Sequence, residues 1–310
     1  MRTLVIGAGA VGGYFGARLA AAGRDITFLV RKHRADQLRT NGLHVISPQG
    51  NVDIDQPKLL LAADLAAHPT PFDLILLSTK AYSLDSAMND FAPAIGPNTV
   101  ILPLLNGMAH LDALDARFSP ARVLGGSTRI VADVDTNGTI HSMEALHDLN
   151  FGERDKSVTP RIEAIQTELS NAGFEAKLQP DILAFMWSKW VFLAALGATT
   201  CLLRGSIGQI ASAPGGLATA QGILNETAAI AAANGYPTSA PFLEHTTARL
   251  LQPGSTLTAS MYRDMMRGAP VEADHILGNL IARSHTHNVP APLLTAAHAM
   301  LSVYSANRPQ

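Results

Sequence analysis

The chain has 310 residues, more than a single hydrophobic core usually fills, so two domains are expected. Hydrophobic residues make up 47% and charged residues 15%, which excludes a disordered chain, and a net charge of −2 leaves no electrostatic footprint for nucleic acid. A single cysteine, Cys201, excludes an internal disulfide framework and suits a reducing, cytoplasmic setting.

The first apolar run, Thr3–Ile6, is only a strand long and runs into glycines, so it does not read as a secretory signal. Gly7-Ala8-Gly9-Ala10-Val11-Gly12 follows, and then an alanine-rich stretch of helical character. A bare G-x-G-x-x-G arises by chance; between a buried strand and a helix it reads as the dinucleotide-binding fingerprint. Gly7 permits the tight turn, Gly9 lets a pyrophosphate approach the backbone, and Gly12 brings helix and strand together. The free N–H groups at the start of that helix would hold the phosphates.

The second strand, Asp25–Val30, ends in Arg31-Lys32, with Arg34 just beyond. A carboxylate at this place would mark NAD; cations here favour the 2′-phosphate of NADP. The alternative is a set of ordinary solvated loop charges. Leu43–Ile46 and Asn51–Ile54, around the Pro48–Gly50 turn, form a small hairpin. Leu74–Ser78 is a strand, and Lys80 directly after it is either a second phosphate contact or a snorkelling surface lysine. Strands continue at Val100–Leu104 and Val123–Gly125, and Thr128–Asp133, Gly138–Ser142 and Asp148–Phe151 are expected to close the sheet with mixed pairing. A helix over Thr159–Ala172 ends at Gly173. This alternation predicts a Rossmann-type, doubly wound α/β sheet.

After Pro180 the strand patterns stop, placing a boundary near residues 174–182. The division expected is a nucleotide-binding domain over 1–178 and an all-α domain over 179–310. Helices are expected at Ile182–Leu203, Gly216–Asn234, Ala240–Leu251, Thr258–Arg267, Glu272–His287 and Pro292–Ser305. Gly235 and Gly268 sit where C-terminal caps belong, and Pro241 and Pro292 suit first turns. The most apolar stretch, Trp190–Leu203, is too short to span a bilayer and is interrupted by Thr199-Thr200, so no membrane partner is expected.

Lys189 stands out within this helical half. Its neighbours three and four residues away on a helix are Phe185, Met186, Phe192 and Leu193. Such a lysine either snorkels outward or sits desolvated at a site, where its lowered proton affinity makes it a competent general acid.

With GAGAVG at 7–12, STK at 78–80, LLNGM at 104–108 and WSKW at 187–190, the chain resembles the ketopantoate reductases (2-dehydropantoate 2-reductases). Ser260, followed twelve residues later by Glu272 in a long matching block, extends the resemblance over nearly the whole length. The resemblance implies an active site in the cleft between the two domains, where NADPH reduces a 2-oxo acid. In that reading Lys189 is the general acid and Glu272 anchors the lysine and the substrate hydroxyl. Ser260 holds the carboxylate, Asn106 orients lysine, nicotinamide or substrate, and Asp264 supports the network. Gly7, Ala8, Gly9, Ala10, Val11, Gly12, Arg31, Lys80 and Asn106 bind the cofactor.

The family usually places asparagines one and two turns after the lysine and again near the following loop; here Leu193, Gly197 and Ile207 stand there. A substrate other than ketopantoate, bulkier or less polar, is therefore an alternative. Two further alternatives are a dehydrogenase of 3-hydroxy acids or imines and a non-catalytic NADP-binding module. His285 and His287 lack a third ligand at metal spacing and read as solvated, so no metal is expected. Cys201, among Thr200, Leu202 and Leu203, reads as core. The apolar helical half leaves room for a homodimer interface.

Overall fold

The computed structural model describes residues 1–308. It divides into two compact units, Met1–Leu105 with His110–Leu183, and Asn106–Ala109 with the chain from Ala184 onward.

The first unit opens with β1 (Arg2–Ile6), α1 (Ala10–Ala21), β2 (Asp25–Leu29), α2 (Lys32–Asn41), β3 (Leu43–Ile46), β4 (Val52–Ile54) and β5 (Leu59–Leu60). Then come α3 (Ala62–Ala67), β6 (Phe72–Leu77), α4 (Leu84–Phe91), β7 (Ile95–Pro103), α5 (Ala109–Phe118), β8 (Gly125–Arg129), β9 (Ala132–Val134) and β10 (Ile140–Ser142). It closes with β11 (Asp148–Gly152), α6 (Pro160–Leu169) and β12 (Glu175–Leu178). The central sheet is parallel, with strand order β5-β2-β1-β6-β7. Its middle strands are apolar without alternation, since both faces are covered: Leu4, Val5, Leu74 and Ile75 are fully buried.

The strand order reverses beside β1, where β2 lies on one side and β6 on the other, and such a switch point is where open α/β sheets bind ligands. Ile6 pairs level with Leu29 and with Leu77, so the loops after β1, β2 and β6 emerge along one edge. The first half is thus the Rossmann-type sheet that the alternation predicts.

The expected single closing sheet is instead split. The hairpin β3–β4 joins β10 and β9 in a four-stranded sheet, and β8, β11 and β12 form a third sheet. Val123–Gly125 is not a strand of its own: Val123 only bridges Ile101, and the chain then becomes β8. One glycine explains the change of sheet. A Cβ on Gly126 would meet Pro103 O at 2.2 Å, so only a bare backbone passes this close over the end of β7. The expected strand Thr128–Asp133 is correspondingly two pieces, the end of β8 and the start of β9.

The second unit is helical, with α7 (Ile182–Leu203), α8 (Ile207–Ser212), α9 (Gly216–Ala233), α10 (Ala240–Leu250), α11 (Ser260–Met266), α12 (Asn279–Thr286) and α13 (Pro292–Asn307). The expected helix Glu272–His287 is broken at its start into a π-helical turn, Asp274–Gly278, before α12. Within that turn the Ile276 carbonyl accepts from Trp190 Nε1 at 2.9 Å, a side chain inserted into the backbone ladder. Helix α7 is longer than the apolar stretch singled out in the sequence. At 22 residues and a mean hydropathy of 1.5 in its most apolar part, it is long and apolar enough to cross a membrane, and 61% of that part is buried inside the protein.

Candidate active site

Each glycine of the loop after β1 has its own physical reason. Gly7 lies at φ +89, in the left-handed region, and its N–H donates to Leu29 O at 3.0 Å. Gly9 is exposed just before α1, and a Cβ there would meet nothing within 4 Å, leaving open space over the helix start. Gly12 is the reverse: a Cβ would fall 2.0 Å from Ser78 Oγ and 2.3 Å from Gly7 O. No side chain caps the first turn of α1, so its leading N–H groups can take an anion. Ala8 is buried at the loop's back, and Ala10 and Val11 start the helix half-buried.

The loop after β6 supports this cradle. Ser78 Oγ donates toward Ile6 O at 3.0 Å and Gly7 O at 3.3 Å. Thr79 Oγ1 is buried with no hydrogen-bond partner among the described residues. An open glycine, uncapped helix N–H groups and an orphaned hydroxyl on one edge fit a dinucleotide's phosphates. Nothing in the sequence spacing of Ser78 shows that it buttresses the loop. Lys80 is exposed and precedes the short turn Ala81–Ser83.

The three cations after β2 do different things. Arg31 is exposed, and its guanidinium joins no hydrogen bond or ion pair among the described residues. Lys32 reaches Asp36 at 2.6 Å along α2. Arg34 turns inward: Nε donates to Ala8 O at 3.0 Å and Nη2 to Gly138 O at 3.0 Å. Burial pushes its guanidinium below the usual arginine range.

The second unit gathers the other candidates. Lys189 lies half-buried on α7 between Trp187 and Trp190, both fully buried and 4.9 Å apart at their ring centres. Trp187 stacks on Tyr236, with centroids 5.4 Å apart, and the Arg283 guanidinium lies 5.6 Å from the Trp187 ring. The Trp190 bond to Ile276 fixes this stretch of α7 to the π turn that follows Glu272.

Asn106 is brought to the same turn by its own loop. Gly107, at φ +76, packs against His275, and a Cβ there would meet His275 O at 3.2 Å. Burial holds the His275 imidazole below its ordinary range, while the Glu272 carboxylate and a hydrogen bond to the Asn106 backbone pull the other way. Asn106, Glu272 and His275 are therefore neighbours. His275 is a residue that the sequence reading missed; no motif marks it. Ser260 is exposed at the first position of α11, and Asp264 is half-buried one turn on.

The positions where the resemblance departs are apolar in space as well. Leu193 is one turn beyond Lys189 and half-buried. Gly197 faces α11: a Cβ there would lie 2.8 Å from the Met261 methyl carbon, beside Ser260. Ile207 is fully buried and opens α8, a helix the sequence reading left out. Its signal was present, for Ser206 and Gln209 form a capping box.

His285 and His287 are exposed, and no group of three or more His, Cys, Asp or Glu among the described residues could hold a metal. Cys201 is fully buried, and burial pushes its thiol up to about 12, as suits a core residue.

A glycine cradle at the switch point of a parallel sheet, followed by a helical unit, defines a Rossmann-type two-domain protein. Two family models match it: ketopantoate reductase PanE/ApbA over residues 3–156, and the ketopantoate reductase PanE/ApbA C-terminal model over residues 181–305. The chain belongs to the ketopantoate reductase family, a family of oxidoreductases. It is 38% identical over 309 residues to the uncharacterized oxidoreductase YkpB of Bacillus subtilis, covering 99% of this chain and 100% of that one. The structure of 2-dehydropantoate 2-reductase from Geobacter metallireducens aligns with TM-score 0.88 at 26% identity, covering 98% of this chain and 99% of that one. A D-mandelate dehydrogenase solved with NADH and anilino(oxo)acetate shares the fold, with TM-score 0.86 at 20% identity over 99% of this chain and 98% of that one.

Proposed function

We propose that this protein is an NADPH-dependent reductase of 2-oxo acids, with 2-dehydropantoate as the leading substrate and pantoate as its product. The observation that carries the reading is Lys189, held beside two packed tryptophans on a helix bonded through Trp190 to the turn after Glu272. The glycine cradle and Arg31 would hold the cofactor, with Lys80 a second cation at the same edge. Reduced nicotinamide supplies the hydride that the chain's own residues cannot.

The protein's part is position and charge. Lys189 donates a proton to the substrate oxygen as negative charge develops there, and its own charge stabilises that oxygen beforehand. Glu272 anchors the lysine and the substrate hydroxyl. Ser260 binds the carboxylate, Asn106 orients lysine or substrate, and Asp264 supports Ser260 from one turn away.

A second reading, a less polar 2-oxo acid, is favoured by Leu193 and by the Met261 methyl filling the space at Gly197. A wall without amides rejects an apolar side chain less than one built to bond a hydroxyl. The shared fold does not choose between substrates.

The test is the initial rate of NADPH oxidation with ketopantoate beside alkyl and aryl 2-oxo acids. Saturable turnover with ketopantoate supports the leading reading. Preference for an apolar acid moves the substrate and keeps the chemistry. NADPH binding without turnover on any acid overturns both and leaves a non-catalytic module.

A further inference from the structure

The cofactor loop is tied to a distant hairpin turn. Arg34 Nε donates to Ala8 O, inside the glycine motif, at 3.0 Å. Its Nη2 donates to Gly138 O at 3.0 Å, and Nη1 to Gln37 Oε1 at 2.5 Å. Gly138 lies in the turn between β9 and β10, 104 residues further along the chain. The same turn docks on α2 at two more places: Gln37 Nε2 donates to Thr136 O at 3.2 Å, and Asn41 Nδ2 to Asn137 O at 3.0 Å.

The turn is rigid in itself. Asp135 accepts from the N–H groups of Asn137 and Thr139 at 2.9 Å each, and its other oxygen meets His141 Nε2 at 3.0 Å. Gly138 is needed there twice over. It sits at φ +91, and a Cβ would lie 2.3 Å from Arg34 Nη1. Any side chain at 138 collides with the guanidinium.

From this geometry we infer that Arg34 is a positioning residue for the dinucleotide loop: it braces the Ala8 carbonyl against the 135–138 turn and does not read the 2′-phosphate. The idea rests on the proposed dinucleotide binding. A guanidinium half spent on two backbone carbonyls has a fixed direction, and a planar fork holds both at once where a lysine cannot. The loop is then shaped before any ligand arrives, so the cost of ordering it is removed from binding. That contribution is the same for NADPH and NADH, because both carry the pyrophosphate. Arg31, exposed and uncommitted among the described residues, is left as the cation that tells them apart.

The experiment is titration of the full chain with NADPH and with NADH, for wild type, Arg34→Met, Arg31→Met and Gly138→Ala. Arg34→Met is expected to raise both dissociation constants by a similar factor, roughly tenfold, the scale of one hydrogen bond to a charged group. Gly138→Ala, which touches no ligand, is expected to do the same, and the double variant to lose little more than either single one. Arg31→Met is expected to weaken NADPH alone. Amide hydrogen exchange on the unliganded chain gives a readout without cofactor: residues 8–12 should exchange faster in Arg34→Met. Loss of NADPH affinity alone in Arg34→Met overturns the inference, as does unchanged affinity for both. If Arg34→Met does not fold, Gly138→Ala and Arg34→Lys carry the same comparison. A wild-type chain that binds neither dinucleotide overturns the proposed function itself, and the inference with it.

Discussion

The two candidate regions of this molecule are built in opposite ways. The dinucleotide loop is a backbone device: three glycines at fixed spacing between one strand and one helix. The region around Lys189 is a side-chain device, assembled from the 106–109 loop, α7, α11 and the turn after Glu272. The first must keep certain atoms absent; the second must bring certain groups together. Substitutions should therefore fail differently in the two places.

The largest effect is expected in the side-chain region. Glu272→Gln keeps the shape but removes the charge proposed to anchor Lys189, and should lower kcat by about a hundredfold, near the lower end of general acid catalysis. Steady-state NADPH oxidation reads this, with cofactor affinity measured alongside. A fall in cofactor affinity with kcat intact would break the contrast between the regions.

In the backbone region, adding one methyl should be enough. Gly12→Ala places a carbon 2.0 Å from Ser78 Oγ and 2.3 Å from Gly7 O; the hydroxyl can rotate away, but the carbonyl is backbone and cannot retreat without moving the loop. Overpacking of this kind costs about 1–3 kcal/mol, and the displaced loop should also lose dinucleotide binding. Thermal unfolding and a fluorescence titration check both parts. A smaller change sharpens the cofactor assignment: Arg31→Met should raise the NADPH dissociation constant roughly tenfold, the worth of a charge-assisted hydrogen bond.

The smallest effect is in pH dependence. Burial holds His275 below its ordinary value of 6.5, so the unfolded chain takes up the proton first. Its contribution to stability is therefore present above that value and is lost as pH falls through and below it. The melting temperature of wild type should drop more steeply below pH 6.5 than that of His275→Gln. Parallel curves for the two would remove His275 from the account.

The same contrast explains what could be read without the structure. Strand β1, the glycine loop and the start of α1 were legible because local spacing dictates them. The parallel sheet followed from unbroken apolar runs, and α7 could be placed from Ile182 to Leu203 by composition alone. The separate sheets were not legible, since the departure of β8 depends on how closely Gly126 passes Pro103 O, a long-range fact. Nor was the π turn, which exists where Trp190 takes the Ile276 carbonyl 86 residues away. Arg34 reads as one of three similar cations until its bonds to Ala8 and Gly138 separate it from Arg31. The roles proposed for Ser260 and Asp264 rest on the family resemblance alone.

The most direct test of the account compares wild type and Lys189→Ala on the best acid of the 2-oxo acid panel, measuring turnover and NADPH affinity on the same preparations. The account predicts a loss in kcat of about 10²–10⁴-fold with NADPH binding unchanged, the range for removing a general acid. Turnover that survives in Lys189→Ala would contradict it, and would place the proton donor elsewhere on the chain.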